Sequence, residues 1–264
     1  MSLKFIEKDH SYISEDDITW TSVTSLISKF KQPFDADEVA IKSSKNKKSK
    51  WYNMSPEDIK DVWKKEGKRA TDLGTWYHNM RENDLLSCET IGDSIPVNKP
   101  IYEADGAKVA PNQKLKDGIY PEHFVYLKSA GICGQADYVE VKDGQINILD
   151  YKSNKEIKTE SYKNWEGLHK MMNPPLSHLQ DCNLTHYTLQ MSIYMYMMLR
   201  HNPKLKPGTL TIQHILFEKV GDDEYGYPIT LYDDMGNPVI KEIINYDVPY
   251  LKDEVVALIK TYAN

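Results

Sequence analysis

The sequence predicts a single α/β domain in which a central mixed β-sheet is flanked by helices. The clearest sheet signal is a pair of runs rich in β-branched and aromatic residues, 135–141 and 145–151, on either side of Asp143-Gly144. An Asp-Gly pair in this setting indicates a type I′ hairpin, because both turn residues need a positive φ. An apolar segment of helical length at 184–199 and the lack of a linker or internal repeat complete the prediction.

The first 30 residues are predicted to form a short hairpin and then a helix. The hairpin would have strands at 3–7 and 18–20, with a polar tip between them. Ser22 or Thr24 can then cap a helix that runs toward residue 30, because both side chains accept hydrogen bonds from helix N–H groups.

Two further helices are predicted before residue 87. Ser55, followed by a proline and two acidic residues, is typical of a helix start, and Gly67 is expected to break that helix. A second helix would then cover about 69–86. The helical N-terminal portion, about 21–86, is expected to pack beside the sheet core, about 120–264, within one domain spanning 1–264.

The middle of the chain is predicted to hold loops and a meander. Residues 87–120 are polar and indicate loops around one or two short strands. Strands at 122–127 and 132–141 would join the hairpin in a meander that ends at Lys152. Residues 156–182 lack periodicity, and a loop of this length in a compact domain is usually functional or mobile.

The C-terminal elements are predicted from periodicity and from stop signals. Asp181 or Asn183 would cap the 184–199 helix, and Asn202-Pro203 would end it. The elements expected beyond it are a strand at 210–218, a hairpin with strands at 227–232 and 238–244, and an amphipathic helix at about 250–262.

The hairpin register brings two carboxylates together. If Asp143 and Gly144 are the turn residues, counting back from the turn places Asp137 directly opposite Asp150. Residues in such positions have Cβ atoms about 4.5–5.5 Å apart, and like charges there destabilise a sheet. We therefore expect a cation between them, and a divalent metal ion is the obvious candidate.

A lysine shares a strand face with the second carboxylate. Asp150 and Lys152 are two positions apart and lie on the face that Ile146 and Ile148 make apolar. Two carboxylates and a lysine suit phosphodiester hydrolysis, in which Mg²⁺ or Mn²⁺ lowers the pKa of a water and the ammonium assists. The alternative is an ordinary surface hairpin, although aspartate is depleted in strands.

Two helices add polar groups of the same kind. His186, Gln190 and Tyr194 follow one another at i,i+4 spacing on an otherwise apolar helix. Gln190 would either reach the metal-bound water beside Lys152 or bond to backbone. His78 and Glu82 share a face of the predicted 69–86 helix, and a lone histidine there would be either a metal ligand or a packed residue.

The motifs, taken in order, resemble the PD-(D/E)XK nuclease superfamily. They are Gly134-x-x-Asp137, a hairpin, Asp150-x-Lys152 and Gln190-x-x-x-Tyr194. The pattern is closest to the RecB-like exonuclease branch, which includes phage exonucleases and the mitochondrial genome maintenance exonuclease. The middle acidic residue is aspartate rather than the commoner glutamate. The resemblance implies a restriction-endonuclease-like core.

The resemblance also implies roles for individual residues. Asp137, Asp150 and the carbonyl of Tyr151 would hold Mg²⁺ or Mn²⁺, while Lys152 assists the attacking water. Gln190 and Tyr194 would line the site. The segment Gly74-Thr-x-x-His78 resembles the family segment whose histidine lies at the metal, so His78 would complete the metal shell. Glu122 would be a further acid near the site or a carboxylate at its rim.

The charge of the chain bears on its partners. A net charge of −6 opposes general affinity for nucleic acid, so binding would depend on local patches. The densest patch lies at 42–50, where Lys45, Lys47 and Lys48 are candidates for DNA backbone contacts. A solvated loop without a partner is the alternative explanation for that run.

Composition indicates a cytoplasmic protein without a membrane partner. No apolar run approaches the ~18 residues that a membrane span needs. The only cysteines are Cys88, Cys133 and Cys182, which are few, odd in number and far apart. This usage favours a reducing cytoplasm, that of the host if the chain is phage-encoded, and argues against a zinc ribbon or a four-cysteine iron–sulfur cluster.

The function expected from these observations is a metal-dependent DNA exonuclease acting on single-stranded DNA or on duplex ends. The resemblance suggests a place in phage recombination, replication or repair, with proteins of those processes as partners. One alternative is a structure-specific or flap endonuclease with the same site. A second is a non-catalytic nucleic-acid-binding protein on a nuclease scaffold.

Overall fold

A six-stranded mixed sheet organises the fold in the computed structural model, which describes residues 3–9, 11–16, 18–92 and 95–263. The helices are α1 (Val23–Ser28), α2 (Ala36–Lys45), α3 (Pro56–Leu86), α4 (Asn183–His201) and α5 (Lys252–Ala263). The strands are β1 (Leu3–Ile6), β2 (Ser11–Ser14), β3 (Thr21–Ser22), β4 (Thr90–Ile91), β5 (Ile95–Pro96), β6 (Ile101–Tyr102), β7 (Lys108–Val109), β8 (Gly118–Leu127), β9 (Ile132–Lys142), β10 (Gln145–Lys152), β11 (Lys206–Phe217), β12 (Lys219–Asp222), β13 (Pro228–Thr230) and β14 (Ile240–Asp247).

The main sheet is arranged around β9. One edge of β9 pairs along its length with β8, while the other edge pairs with β3 at its start and with β10 at its end. Beyond β10 follow β11 and β14. The β3–β9 and β10–β11 pairs are parallel and the others are antiparallel, so the predicted mixed sheet is confirmed. A smaller sheet with the order β2-β1-β7-β6 is formed by the N-terminal hairpin and two short strands.

The β9–β10 hairpin has the register that the turn chemistry predicts. Lys142 pairs with Gln145, which leaves Asp143 and Gly144 as the turn. Their φ angles are 51° and 75°, as a type I′ turn requires. The local sequence therefore determines which residues of the two strands face one another.

The two faces of β10 pack against different helices. Ile146 and Ile148 are fully buried in the main core, which α4 covers. The alternate residues, Leu149 and Tyr151, pack with side chains of α3. The end of β10 therefore lies between α3 and α4.

One continuous helix replaces the two that were predicted across 55–86. Helix α3 begins after the capping Ser55 and runs for 31 residues through Gly67. A glycine costs a helix only about 1 kcal/mol relative to alanine. The bidentate Arg69–Glu66 pair at this point and the packing of Ile59 and Val62 outweigh that cost.

Other predicted boundaries are also wrong. The second strand of the N-terminal hairpin is β2 rather than 18–20, because Leu3 pairs with Ser14. Strand β14 pairs with β11, so the predicted 227–244 hairpin retains only the Tyr232–Pro238 bridge. The lysine run is partly helical, since α2 extends to Lys45.

The N-cap of α1 was predicted correctly, and the N-cap of α4 was not. Ser22 caps α1, as one of the two predicted candidates. Neither Asp181 nor Asn183 caps α4, since the N-cap position is Cys182. Asp181 instead pairs with His186 and with Lys170, and these contacts tie the long loop to the helix start.

The predicted loops hold more local structure than expected. Segment 87–120 contains four short strands, β4 to β7, rather than one or two. Segment 156–182 is irregular as predicted, with two isolated bridges and a cis Pro174–Pro175 bond. Of the predicted hairpin tip and loop, the residues His10, Asp17, Asp93 and Ser94 lie outside the described part of the chain.

No helix in the described part of the chain combines the length and the apolar character that crossing a bilayer would require.

Candidate active site

Three carboxylates lie in a row on three adjacent strands. The β8–β9 register leaves Glu122 facing Asp137, since the pairs before and after them are formed. The β9–β10 register, continued by one residue, places Asp150 on the other side of Asp137. Glu122 has a φ of 46°, in the left-handed region that residues other than glycine rarely occupy. Strained backbone of this kind is concentrated at functional sites.

His78 reaches this row from α3. Its Nδ1 is 3.6 Å from Oε1 of Glu122 and 3.6 Å from Oδ1 of Asp137. One potential ligand atom from each of the three residues lies within 4.8 Å of the other two. Burial lowers the pKa of His78, but the charges of Asp137 and Glu122 outweigh it and raise the pKa to about 9. The imidazolium therefore balances part of the negative charge of the two carboxylates.

A glycine brings α3 close to the sheet one turn before His78. A Cβ at Gly74 would lie 2.8 Å from Oγ of Ser153, which directly follows β10. The same hydroxyl donates a hydrogen bond to the carbonyl of Ala70 at 3.5 Å. Helix α3 therefore lies close to the end of β10 at Gly74, four residues before His78.

Tyr151 connects the helix to the carboxylate row. Its backbone N–H donates to Oδ2 of Asp137 at 2.7 Å. Its ring lies edge-on to the rings of His78 and Tyr77, at 5.4 Å and 5.3 Å between centroids. The contribution that the structure shows for Tyr151 is thus to orient Asp137 and His78, and the predicted role of its carbonyl as a metal ligand stays a prediction.

The environment of Asp137 disfavours its ionised form. Its side chain is nearly buried, and burial together with the charge of Asp150 raises its pKa to about 7. The charges of His78 and Lys152 act in the opposite direction without cancelling this rise. A nearby cation would stabilise the ionised form of such a carboxylate, so the electrostatics of the site favour a cation.

Asp150 is held by Lys152. The ammonium contacts Oδ2 of Asp150, and it also lies over the ring of Tyr187 at 4.9 Å from the centroid. Burial lowers the pKa of Lys152, yet the charges of Asp150 and Asp137 outweigh it and raise the pKa above its usual value. Apart from this ammonium, neither oxygen of the fully buried Asp150 has a hydrogen-bond partner among the described residues.

The predicted polar residues of α4 form a pair beside β9. The amide of Gln190 donates to the hydroxyl of Tyr194 at 3.3 Å. The buried Tyr194 ring packs on Gly134, where a Cβ would lie 2.8 Å from a ring carbon. The charges of Asp150 and Asp137 act on Tyr194, so the pair lies next to the carboxylates. Among the described hydrogen bonds, none joins Gln190 to Lys152.

A cleft of about 760 Å³ lies over part of this site, and Asp137, Asp150, Gln190 and Tyr194 are not among the residues that line it. Its lining includes Lys152, His78 and Glu122, together with Glu82 and Lys108. Glu82 accepts a hydrogen bond from the hydroxyl of Tyr102 at 3.4 Å, so it lies at the wall of the cleft. The volume is sufficient for a nucleotide-sized ligand.

The lysines at 45–48 lie far from the cleft. Trp51, which follows the run, packs against Ile59 and Val62 near the start of α3. Positions 62 and 78 on this helix are separated by about 24 Å at a rise of about 1.5 Å per residue. Lys45, Lys47 and Lys48 are exposed and do not belong to the same cluster as the carboxylates.

Two contributors to the site were not predicted. Tyr187 contacts the Lys152 ammonium with its ring and donates to Oδ1 of Asn154 at 2.7 Å, and the charge of Arg81 acts on the hydroxyl of Tyr151. Tyr187 precedes Gln190 by three positions on the same helix, and Arg81 follows His78 by three. The i,i+3 spacing from each predicted residue is the signal that could have identified both.

Comparison of the chain with protein-family models, with curated proteins and with solved structures gave no match.

Proposed function

We propose that this protein is a divalent-metal-dependent DNA nuclease with a restriction-endonuclease-like core, acting as an exonuclease. The observation that carries the proposal is the convergence of groups from four separate elements. Glu122, Asp137 and Asp150 come from three adjacent strands, His78 comes from α3, and Lys152 lies beside them. The exonuclease mode, and a place in phage recombination, replication or repair, rest on the resemblance in sequence.

The donor set fits a hard or borderline divalent cation. His78, Glu122 and Asp137 offer one nitrogen and two carboxylate oxygens within 4.8 Å of one another. Asp150 is not one of this group of three, and its buried oxygens contact the Lys152 ammonium instead. Carboxylate oxygens suit Mg²⁺ and Mn²⁺, and an imidazole nitrogen favours Mn²⁺ of the two. A bound ion of this kind would polarise a phosphate oxygen and lower the pKa of a water.

The side chains around the donor set have separate tasks. The raised pKa of Lys152 keeps its ammonium protonated, so it can donate to the attacking water or to a phosphate oxygen that gains charge. Tyr187 and Asp150 hold that ammonium in place. Gln190 would act after a rotation away from Tyr194, because its amide donates to that hydroxyl in the structure.

The test compares end-labelled linear DNA with covalently closed circular DNA, each with Mn²⁺, Mg²⁺ or a chelator. Wild type should release short labelled products from linear DNA with metal only. Asp150→Ala and His78→Ala should reduce the rate by about 10²-fold or more, as loss of a catalytic group does. Glu242→Gln, an exposed residue on β14, is the control and should keep the wild-type rate.

Three outcomes separate the alternatives. Efficient cutting of closed circles would replace the exonuclease with an endonuclease. Binding of DNA without degradation under any metal condition would favour the non-catalytic nucleic-acid-binding protein. Equal rates for wild type and Asp150→Ala would remove this row of carboxylates from the chemistry.

A further inference from the structure

A second pocket lies directly behind Glu122 and is rich in lysine. It encloses about 390 Å³ between β8 and the segment 98–116. Its lining holds four lysines, Lys99, Lys108, Lys114 and Lys116, against a single carboxylate, Glu122. The net charge of this lining is positive, whereas the net charge of the whole chain is −6.

The pocket is lined by a buried histidine, one ring nitrogen of which has no hydrogen bond among the described residues. His123 is only 3% exposed, and its Nε2 has no hydrogen-bond partner among the described residues. A buried polar nitrogen left unpaired costs about 1–3 kcal/mol. Such a group is retained at low cost only if something outside the chain pairs with it.

Lys108 is a second buried polar group at this pocket, and it carries a charge. It is 6% exposed, and its ammonium donates to the amide oxygen of Gln135 at 2.7 Å. Within the described residues it forms no ion pair, although Glu122, Glu82 and Glu7 are near enough to act on it electrostatically. A buried ammonium without a paired anion indicates an anionic ligand.

The pocket adjoins the carboxylate cleft. Lys108 and Glu122 line both cavities, so they form the wall between them. Lys114 and Lys116 stand at the outer side and are exposed, and Lys114 donates to the carbonyl of His201. An anion in the pocket would therefore lie next to a substrate held at His78.

We propose that this pocket binds a phosphate monoester, with Lys108, Lys114, Lys116 and His123 as the groups that contact it. An ammonium group is a hydrogen-bond donor only, and Nε2 of a neutral imidazole is a donor in one of its two tautomers. A phosphate oxygen accepts hydrogen bonds from both kinds of donor. The phosphate would come from the end of a DNA strand or from a free nucleotide. The first source rests on the proposed function, whereas binding of the phosphate itself does not.

The binding test uses the full chain in chelator, so that it does not depend on nuclease activity. Radiolabelled inorganic phosphate and thymidine 5′-monophosphate are the probes, in equilibrium dialysis. Wild type should bind each at one saturable site. Lys114→Ala/Lys116→Ala should weaken binding by about tenfold or more, since charge-assisted hydrogen bonds are lost.

The control is a charge-matched pair of exposed lysines on α5, Lys252→Ala/Lys260→Ala, which should bind as wild type does. Both pairs lie at exposed positions, so each variant should fold. Circular dichroism and thermal unfolding check this. Lack of saturable binding by wild type, or equal binding by the two double variants, would overturn the proposal.

Oligonucleotides with and without a terminal phosphate identify the source. If the pocket takes a strand end, the phosphorylated oligonucleotide should bind about tenfold more tightly to wild type in chelator, and the Lys114/Lys116 variant should lose this preference. If it takes a free nucleotide, the monophosphate binds and the terminal phosphate makes no difference. Phosphate binding without any DNA degradation would reject the nuclease and leave the pocket standing.

Discussion

Asp137 is surrounded by charged and hydrogen-bonding groups of the site. It lies between Glu122 and Asp150, accepts the N–H of Tyr151 and contacts the imidazolium of His78. Its carboxyl is buried, and the folded chain raises its pKa from 3.8 to about 7. The folded state consequently holds this proton more tightly than the unfolded chain does. The protonated Asp137 carboxyl therefore contributes to the stability of the folded state, and this contribution is fully present below about pH 3.8 and is lost as the pH rises through about 7.

Removal of this charge should stabilise the metal-free protein. In chelator at pH 8, Asp137→Asn should unfold with a free energy about 1–3 kcal/mol larger than wild type, since each pKa unit corresponds to about 1.4 kcal/mol. The difference should shrink toward pH 5, where the wild-type carboxyl is protonated. Urea unfolding at the two pH values measures it.

The control for this substitution is Asp143→Asn, in an exposed turn position that asparagine also tolerates. It should leave the stability unchanged at both pH values. A wild type that is as stable as Asp137→Asn at pH 8 would contradict the proposed electrostatic cost. Addition of Mn²⁺ should reverse the order, because the proposed ligand set is complete only in wild type.

Helix α3 is the element that assembles the site. It packs on the sheet through Tyr77 and on Ser153 through Gly74, and it carries His78 to the carboxylates. Its two glycines have different surroundings. A Cβ at Gly67 would meet nothing within 4 Å, whereas a Cβ at Gly74 would meet the Ser153 hydroxyl at 2.8 Å. A larger residue therefore fits at position 67, whereas at position 74 it would push α3 and Ser153 apart.

Substitutions at these glycines should have opposite effects. Gly67→Ala should stabilise the protein by about 0.5–1 kcal/mol through helix propensity. Gly74→Leu should destabilise it by about 1–3 kcal/mol, as overpacking does, and should weaken Mn²⁺ binding by displacing His78. Thermal unfolding and a Mn²⁺ titration measure the two effects.

Gly67→Leu, in the same helix, is the matched control for Gly74→Leu. It adds the same side chain where there is space, so Mn²⁺ affinity should stay at the wild-type value. Equal Mn²⁺ affinity of Gly74→Leu and wild type would show that the contact with Ser153 does not position His78.

At the scale of the whole molecule, α3 separates two regions of positive charge. The lysine pocket adjoins the carboxylate cleft, whereas Lys45, Lys47 and Lys48 lie near the opposite end of the helix. The distance of about 24 Å along α3 corresponds to about seven nucleotide steps of 3.4 Å. Only a substrate longer than this could reach both regions.

Neutralisation of the distant lysines should therefore depend on substrate length. The variant Lys45→Ala/Lys47→Ala/Lys48→Ala should bind DNA of 20 base pairs more weakly, with a salt dependence reduced by up to about 3 in log–log slope. Its affinity for an oligonucleotide of about five nucleotides should match wild type. Fluorescence anisotropy across a salt series measures both, and equal losses for the long and the short substrate would contradict the separation.

Local elements of the fold and site were predictable, while their mutual approach was not. The type I′ turn at Asp143-Gly144 correctly predicted the strand register, and Ser55 marked the start of α3. The break at Gly67 was wrong because side-chain packing along the helix outweighs one residue's propensity. The 227–244 hairpin was wrong because β14 pairs with the distant β11.

The sequence by itself determined the pairing of β9 with β10, and with it the adjacency of Asp137 and Asp150. A two-residue turn fixes the register of the strands that it joins, and neighbouring residues contain all the information that this requires. Only the tertiary structure decided that Glu122 completes the row, that His78 contacts it, and that Tyr187 of α4 lies against the Lys152 ammonium. Those contacts depend on the docking of β8, α3 and α4, which side-chain packing between residues far apart in the chain determines.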